Sequence, residues 1–310
     1  MASDRESERT RALLAVGTTV VVWGLSPALI KTVHASGLVT AFHRLWLSIP
    51  WLWLITVARP GFAHRLDRDW LRASLLGGGL FGVHQILFFS ALKWTSVASV
   101  TVIGALQPAL VLIVAGPMFG ERASARAIAW AGVAVLGTSA VALGASHGTS
   151  ALWVGDLIAV ANLVAFTAYF VASKRFRVRT EAWDYTVGMT TVAGVLVAVV
   201  CLLTGQDLGS PERDDWLVLF LLGAFPGTLG HVLMNWAHAH TSAFAASNLL
   251  LAAPVLSTAF AWLLLGETLS PAQIAGAMVA ISGIAMVIGS TRSEELRGEL
   301  AESAAETDAP

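Results

Sequence analysis

The chain is short of charged residues and has almost no cysteine. Aspartate, glutamate, lysine and arginine make up 13% of its 310 residues, against about one-quarter in a typical soluble domain. Hydrophobic residues make up 56%, which is more apolar side chain than a water-soluble core absorbs. The one cysteine, Cys201, excludes an internal disulfide and a thiolate metal cage. These shortages favour an integral membrane protein, and a net charge of -1 gives no reason to expect nucleic acid as a partner.

Carboxylates are equally scarce inside the apolar runs of the sequence. Apart from Asp215, the first residue of the run at 215–237, only Asp156 and Asp184 fall within such a run, and both lie near its ends. Carboxylate-based proton coupling, common in pumps, is therefore disfavoured, and His84 and His231 are the titratable candidates if protons are coupled. The nearest approach to a metal or catalytic centre is residues 238–240, His-Ala-His, which has no acidic companion. We expect no metal, no cofactor and no enzyme activity.

What the sequence does contain is a series of apolar runs of about 18 to 22 residues. This is the length of a membrane-crossing helix, whereas a barrel strand needs about ten alternating residues. The first run follows Arg5, Arg9 and Arg11, but it is longer than the ~7–15 residues of a signal peptide and is predicted to be retained. The sequence predicts ten spans, at 12–31, 38–58, 70–92, 97–117, 125–143, 152–172, 183–204, 215–237, 243–265 and 271–289.

Two stretches of the chain repeat one another. Residues 95–121 align with residues 241–267 at a constant offset of 146 positions, which pairs Pro108 with Pro254. Both copies end in Gly-Glu. Five predicted spans separate equivalent points, and because five is odd the two halves must cross the membrane in opposite directions. The sequence thus predicts an all-α integral membrane fold of two inverted five-helix repeats, an arrangement in which many secondary transporters hold substrate near the midplane.

The basic residues are sorted to one side of the predicted spans. With the amino terminus inside, 15 lysines and arginines lie on the inner side and three on the outer side. This asymmetry predicts that both termini are cytoplasmic and that the protein lies in the cell (inner) membrane. The predicted organisation is a cytoplasmic segment, two repeats and an acidic cytoplasmic tail expected to be disordered: residues 1–11, 12–143, 152–289 and 290–310.

Several motifs extend this pattern along nearly the whole chain. They are Trp23-Gly24 and Pro27 in the first span, Arg44 in the second, Leu-Lys-Trp-Thr-Ser at 92–96, and Gly-Glu at 120–121 and 266–267. In these motifs the chain resembles the EamA-type transporters of the drug/metabolite transporter superfamily. The resemblance implies a ten-helix inverted repeat that moves small metabolites, often outward. The halves differ, because the partner of Trp23-Gly24 is Phe166-Thr167 and that of Gln107 is Ala253.

Polar and aromatic residues near the middle of the spans are the substrate-binding candidates. Polar side chains at such depths usually face the bundle interior or a cavity. The alternatives are interhelical hydrogen bonds, worth about 0.6 kcal/mol on average, and core packing for the aromatic residues. The candidates are Trp23, His84, Gln85, Gln107, Asn162, Tyr169, His231, Asn235 and Asn248.

Three further residues are candidates for a gate or hinge. Pro108 and Pro254 each remove a backbone donor and free the carbonyl four residues earlier, so each marks either a hinge or a kink satisfied by a neighbouring helix. Arg44 is the one basic residue well inside a span. A charge there must be paired or hydrated, unless it snorkels to the interface.

We therefore expect a transporter that exports a small polar or amphipathic metabolite, amino-acid-like or drug-like, by alternating access. Uncoupled export is as compatible with the sequence as proton coupling. The expected partners are the small-molecule substrate and membrane lipid, with the protein acting as a monomer or homodimer. The alternatives are an integral membrane enzyme acting on lipid-linked substrates, and a receptor or assembly factor without transport activity.

Overall fold

Helices make up all the regular structure in the residues that the computed structural model describes, which are 2–60, 66–95, 100, 103–121, 123–144, 153–209, 211–265 and 269–307. In chain order they are α1 (Ala2–Thr32), α2 (Gly37–Ala58), α3 (Arg68–Trp94), α4 (Gln107–Phe119), α5 (Ala125–Gly144), α6 (Trp153–Arg177), α7 (Ala182–Leu203), α8 (Asp215–Leu222), a π-helical segment (Gly223–Gly230), α9 (His231–Ala237), α10 (Ala243–Leu250), α11 (Ala252–Leu265) and α12 (Pro271–Thr307).

The helices have the length and composition of membrane spans. Within the described residues, eight helical stretches are long and apolar enough to cross a membrane. Two more apolar helices, Gln107–Phe119 and Ala125–Val141, are shorter, and part of the predicted fourth span at 97–117 lies outside the described residues. The protein is therefore an all-α, multi-pass membrane protein, because a backbone in lipid must satisfy its hydrogen bonds within the helix.

Local sequence signals set several helix ends. The side chains of Ser36, Asp67 and Ser242 accept backbone N–H groups in the first turns of α2, α3 and α10, as expected of N-cap residues. Helix α4 ends at Gly120, whose φ of 70° is the left-handed conformation that glycine adopts at a helix C-terminus. The glycine of the first Gly-Glu motif is thus a helix stop, whereas Glu267 of the second motif lies outside the described residues.

Small residues allow the closest helix contacts. A Cβ atom placed on Gly137 of α5 would lie 2.3 Å from the backbone nitrogen of Ala280 on α12. Helix α3 packs against α6 and α7, and a Cβ on its Gly78 would lie 2.7 Å from the carbonyl oxygen of Met189 on α7. Such approaches favour helix association in lipid, where apolar contact alone gives little preference for protein over lipid.

Three of the predicted spans are interrupted near the middle. Helix α4 begins at Gln107, one residue before Pro108, and α10 gives way to α11 at Leu251, three residues before Pro254. Between α8 and α9 the chain forms a π-helical segment that contains Pro226. Proline cannot donate the backbone hydrogen bond that continues a regular helix, and π-helical turns are frequent at functional sites.

Helix α12 extends beyond the predicted tenth span to Thr307. The tail at 290–310, which we expected to be disordered, is therefore helical as far as the structure describes it. Its alanine, glutamate, leucine and arginine residues are strong helix formers, and they continue a helix already started in the membrane without a new nucleation step.

Candidate functional site

A cavity of about 210 Å³ lies where both halves of the chain meet. Its walls come from α1, α2, α3, α4, α6, α9, α10, α11 and the π-helical segment. Six substrate-binding candidates and two gate candidates line it, namely Trp23, His84, Gln85, Gln107, Asn162, His231, Arg44 and Pro254. The volume is below the roughly 300 Å³ at which drug-sized pockets begin, so the cavity suits a small ligand.

Arg44 forms the polar side of this cavity. Only 4% of the residue is exposed, so the side chain stays within the bundle and does not snorkel to the interface. Its Nη1 donates to Oε1 of Gln85, and its Nη2 lies 3.1 Å from Nε2 of His231. Its guanidinium carbon also lies 5.8 Å from the centre of the Phe89 ring. Among the described residues no carboxylate pairs with Arg44, and its Nε has no hydrogen-bond partner.

The hydrogen bonds around His231 indicate which of its ring nitrogens carries the proton. An arginine only donates hydrogen bonds, so Nε2 of His231 must accept from Arg44. The proton of a neutral ring then lies on Nδ1, which is 3.1 Å from the Tyr169 hydroxyl oxygen. Tyr169 is fully buried behind His231 and does not itself line the cavity. Its role in this geometry is to orient the histidine that holds the arginine.

Aromatic rings form another part of the cavity wall. The rings of His84 and Phe166 stack with centroids 4.6 Å apart, and Trp23 lies 6.2 Å from Phe166 and 4.9 Å from His231. Nδ1 of His84 lies 2.7 Å from Oδ1 of Asn162, which holds the histidine ring against the wall. The cavity thus combines one fixed cationic group with flat apolar surfaces.

The Trp23 side chain also connects the cavity to the π-helical segment. Its Nε1 donates to the carbonyl oxygen of Pro226 at 3.1 Å, and Ser48 donates to the carbonyl oxygen of Gly223 at 2.9 Å. Carbonyl groups released at membrane depth are tolerated where neighbouring side chains satisfy them. These two bonds hold the wide helical turn open beside the cavity.

Three other sequence candidates lie outside the cavity lining. Asn235 is fully buried and donates through Nδ2 to the Thr186 hydroxyl at 2.8 Å. Asn248, also fully buried, donates to the carbonyl oxygen of Phe244 in its own helix at 2.8 Å. Pro108 is buried next to Gln107 without lining the cavity. In this structure both asparagines make hydrogen bonds within the helix packing.

Sequence reasoning did not single out several residues that do line the cavity. They are Ser26, Phe88, Phe89, Phe166, Ser247 and Ser257, among others. Serine and phenylalanine are common in membrane helices, so one sequence carries no signal that would select these. Phe166 is the exception, since the repeat pairs it with Trp23 and thereby marks it as a wall residue. Within the described residues no group of three His, Cys, Asp or Glu side chains is placed to hold a metal ion.

Comparison with known proteins gives relatives named for amino-acid export. The chain is 34% identical over 139 residues to the "Probable terminal-alkyne amino-acid exporter" of Streptantibioticus cattleyicolor, covering 45% of each chain. It is 32% identical over 186 residues to the "Aromatic amino acid exporter YddG" of Ancylobacter novellus, covering 58% of this chain and 63% of that one. The matches thus span less than two thirds of each of these relatives.

Fold and family comparisons cover more of the chain. A crystal structure that shares 23% sequence identity superposes with a TM-score of 0.75 over 90% of this chain and 97% of that one, which shows a common fold. The model of the EamA-like transporter family matches residues 10–143 and 153–289. These two ranges include the ten predicted spans apart from residue 152, together with the whole cavity lining. The chain therefore belongs to the EamA-like transporter family.

Proposed function

We propose that this protein exports a small amino-acid-like metabolite across the cell (inner) membrane by alternating access. Membership of a transporter family and relatives named as amino-acid exporters support this function. The observation that carries it is Arg44, a buried arginine in the wall of a small central cavity with no carboxylate partner among the described residues. The substrate supplies the missing carboxylate.

The electrostatics of the cavity favour an anionic group on the substrate. A charged side chain inside a span costs about 2.5–3.5 kcal/mol on insertion scales. A carboxylate held by a guanidinium makes short, charge-assisted hydrogen bonds that offset part of this cost. Gln85 and His231 are neutral partners, which position Arg44 without cancelling its charge. A cationic drug-like molecule would instead meet an uncompensated positive charge, so we favour an amino-acid-like substrate over a cationic drug.

The remainder of the cavity defines the apolar part of the substrate. His84, Phe166 and Trp23 give flat surfaces, against which an aromatic or branched side chain packs. A volume of about 210 Å³ leaves room for one small molecule. Amphipathic amino acids with an apolar side chain fit both the charge and the walls.

The proposed architecture is that of two inverted five-span repeats, residues 12–143 and 152–289, with both termini in the cytoplasm. Breaks in equivalent spans support it, since Gln107 begins α4 beside the cavity and Leu251 separates α10 from α11 in its wall. Two halves that hinge at such breaks expose the cavity alternately to each side. Export then needs only the substrate and the surrounding lipid, and neither a metal nor a cofactor.

The test is transport of labelled amino acids by the purified protein in liposomes. Arg44→Gln removes the charge and should weaken the apparent affinity by more than about tenfold, because losing one partner of a buried charge pair costs at least about 2 kcal/mol. Arg44→Lys keeps the charge but not the planar fork, so its effect should be smaller. An amino-acid amide, which lacks the carboxylate, should compete poorly.

Matched controls separate binding from general damage. Arg72→Gln changes an exposed arginine at the start of α3 and should leave transport unchanged. His84→Ala, in the aromatic wall, should impair transport more than His240→Ala, whose ring stacks on Trp236 away from the lining. Equal transport by Arg44→Gln and the parent would contradict the assignment of the carboxylate site. Absence of transport for every amino acid tried would instead favour a receptor or assembly role.

A further inference from the structure

The cavity lies away from one end of α3 and α6. Helix α3 contributes residues from its second half, His84 to Phe89, whereas α6 contributes Asn162 from its first half and Phe166 from its middle. These two helices occupy the third and sixth spans and therefore run in opposite directions, so both sets of residues lie at the middle of the bundle or towards the same end. The opposite end, which is cytoplasmic in the proposed orientation, carries the last turns of α4 and α6 and the first turn of α10.

An ion pair between α6 and the end of α4 lies at this end, beside the start of α10. Nζ of Lys174, in the last turn of α6, lies 3.2 Å from Oε1 of Glu121, just after α4. The Lys174 ammonium also donates to the carbonyl oxygen of Thr241 at 2.6 Å and lies 5.6 Å from the Phe119 ring. The side chains of Lys174 and Glu121 are only 16% and 14% exposed. Water and salt therefore screen this pair much less than a surface ion pair.

The same carboxylate caps the N-terminus of α10. Oε1 of Glu121 accepts the backbone N–H of Ala243 at 3.0 Å, and Oε2 accepts that of Phe244 at 3.2 Å. The first N–H groups of a helix have no partner within the helix and carry partial positive charge, so a carboxylate stabilises them. One side chain from the first half of the chain thus binds a cation and a helix terminus of the second half.

We define Glu121, Lys174 and the N-terminus of α10 as the seal. The three helices that it joins each contribute to the cavity wall. Gln107 lies on α4, Asn162 on α6 and Ser247 on α10. A path from the cytoplasmic end to the cavity between these helices requires that they move apart at the seal. Interfaces of this kind switch between discrete arrangements and do not deform continuously.

We propose that Glu121 and Lys174 form the inner gate of the transporter. In this structure the gate is closed, and the ion pair must break, with Glu121 leaving the N-terminus of α10, before substrate reaches the cavity from the cytoplasm. This assignment rests on the proposed transport function. It makes Glu121 and Lys174 positioning residues, which control access to the cavity without touching the substrate.

The test measures access to the cavity from each side. In the full-length protein, Cys201→Ala removes the native thiol and Ser257→Cys places a single thiol in the cavity wall. A membrane-impermeant maleimide is then applied to inside-out and right-side-out vesicles. We expect slow labelling from the cytoplasmic side in the parent. Lys174→Ala should raise that rate about fivefold, the factor that corresponds to about 1 kcal/mol of lost gate stability.

A second variant and a matched control keep this test decisive. Glu121→Gln removes the ion pair while keeping one oxygen for α10, so it should act in the same direction with less damage to the fold. Arg179→Ala breaks a pair with Asp69 at 3.8 Å, in which the side chains are 76% and 53% exposed, and it should leave labelling unchanged. Unchanged cytoplasmic labelling in both gate variants, with parental melting temperatures, would overturn the proposal. If the gate variants are labelled faster but the parent protein transports no amino acid, the result would contradict the proposed function and leave the gate assignment standing.

Discussion

Buried polar atoms without partners occur among the described residues both in the cavity wall and elsewhere in the bundle. Arg44 Nε and Gln107 Nε2 belong to residues of the cavity wall, whereas the other such atoms belong to residues outside the lining, namely Ser74, Arg177, Thr190, Asn235, His238 and Asn248. An unsatisfied buried donor or acceptor costs about 1–3 kcal/mol. A ligand or water molecule that binds to such a group during the proposed transport cycle would offset this cost. Because Ala253 is the repeat partner of Gln107, the polar groups of the cavity are distributed asymmetrically between the halves.

His34 connects the α1–α2 loop to the start of α8. Its Nδ1 lies 3.1 Å from Oδ1 of Asp215, and its backbone N–H donates to the same carboxylate at 3.2 Å. The hydrogen bond to Asp215, followed by the charges of Glu212 and Asp215, raises the pKa of His34 above its ordinary value of 6.5. The protonated ring therefore holds this loop to α8 more strongly than the neutral ring does.

This raised pKa predicts a pH dependence of stability. A group whose pKa is higher in the folded protein contributes fully below its unfolded value, here pH 6.5, and the contribution is lost as the pH rises through the folded value. We expect the melting temperature of the purified protein to fall as the pH is raised upwards from 6.5. His34→Gln should flatten this part of the profile. A parent profile that rises over the same range would contradict the sign of the pKa shift.

At the scale of elements, interrupted helices surround the cavity. The α10–α11 break places Leu250 and Leu251 in the wall, and the π-helical segment places Pro226 there and His231 just after it. Breaks in a helix at membrane depth allow half-helices to tilt independently, which a continuous helix resists. The structure thus combines uninterrupted helices, such as α5 and α12, with interrupted helices around the cavity.

Replacing Pro254 tests whether the α10–α11 break serves transport. Alanine restores the missing N–H group, which can then bond to the Leu250 carbonyl and favour a straight helix. We expect Pro254→Ala to raise the melting temperature and to slow turnover, by tenfold for each ~1.4 kcal/mol of extra preference for the straight form. Pro117→Ala, at an exposed site inside α4 that does not line the cavity, is the control. Similar turnover numbers in both variants would argue that the break only accommodates packing.

For the whole molecule, the distribution of basic residues predicts the orientation in the membrane. Fifteen lysines and arginines lie on one side of the predicted spans and three on the other, which favours cytoplasmic termini. A fluorescent protein fused after Pro310 should therefore fold and fluoresce, whereas alkaline phosphatase fused there should be inactive. Phosphatase fused in the loop after α7, near Gln206, should be active. The reverse pattern of activities would show that the predicted orientation is inverted.

Span positions followed closely from the sequence. The predicted spans at 38–58, 70–92 and 183–204 compare with Gly37–Ala58, Arg68–Trp94 and Ala182–Leu203 in the structure. Such agreement has a physical basis, since about twenty apolar residues in a row have one stable arrangement in a bilayer. The π-helical segment could not be predicted in this way, because Trp23 and Ser48, from distant parts of the chain, donate hydrogen bonds to two of its carbonyl groups.

The cavity lining was predictable in part. Residues at the right depth, such as His84, Gln85 and Asn162, do line it. Asn235 lies one turn beyond His231 on the same face but is nearer the end of its helix, where it pairs with Thr186 instead. Ser247 lines the cavity whereas its neighbour Asn248 does not, because successive helical residues differ in direction by about 100°.

The sequence by itself determined the family, the helical membrane fold and the depth of the polar residues, because hydrophobicity, length and repeat spacing are properties of local chain composition. The tertiary structure alone decided which polar residues share the cavity, how Arg44 is held by Gln85 and His231, and where Glu121 pairs with Lys174. These depend on the rotation and tilt of each helix against its neighbours. Side-chain packing sets both, and it brings together residues that are far apart in the chain.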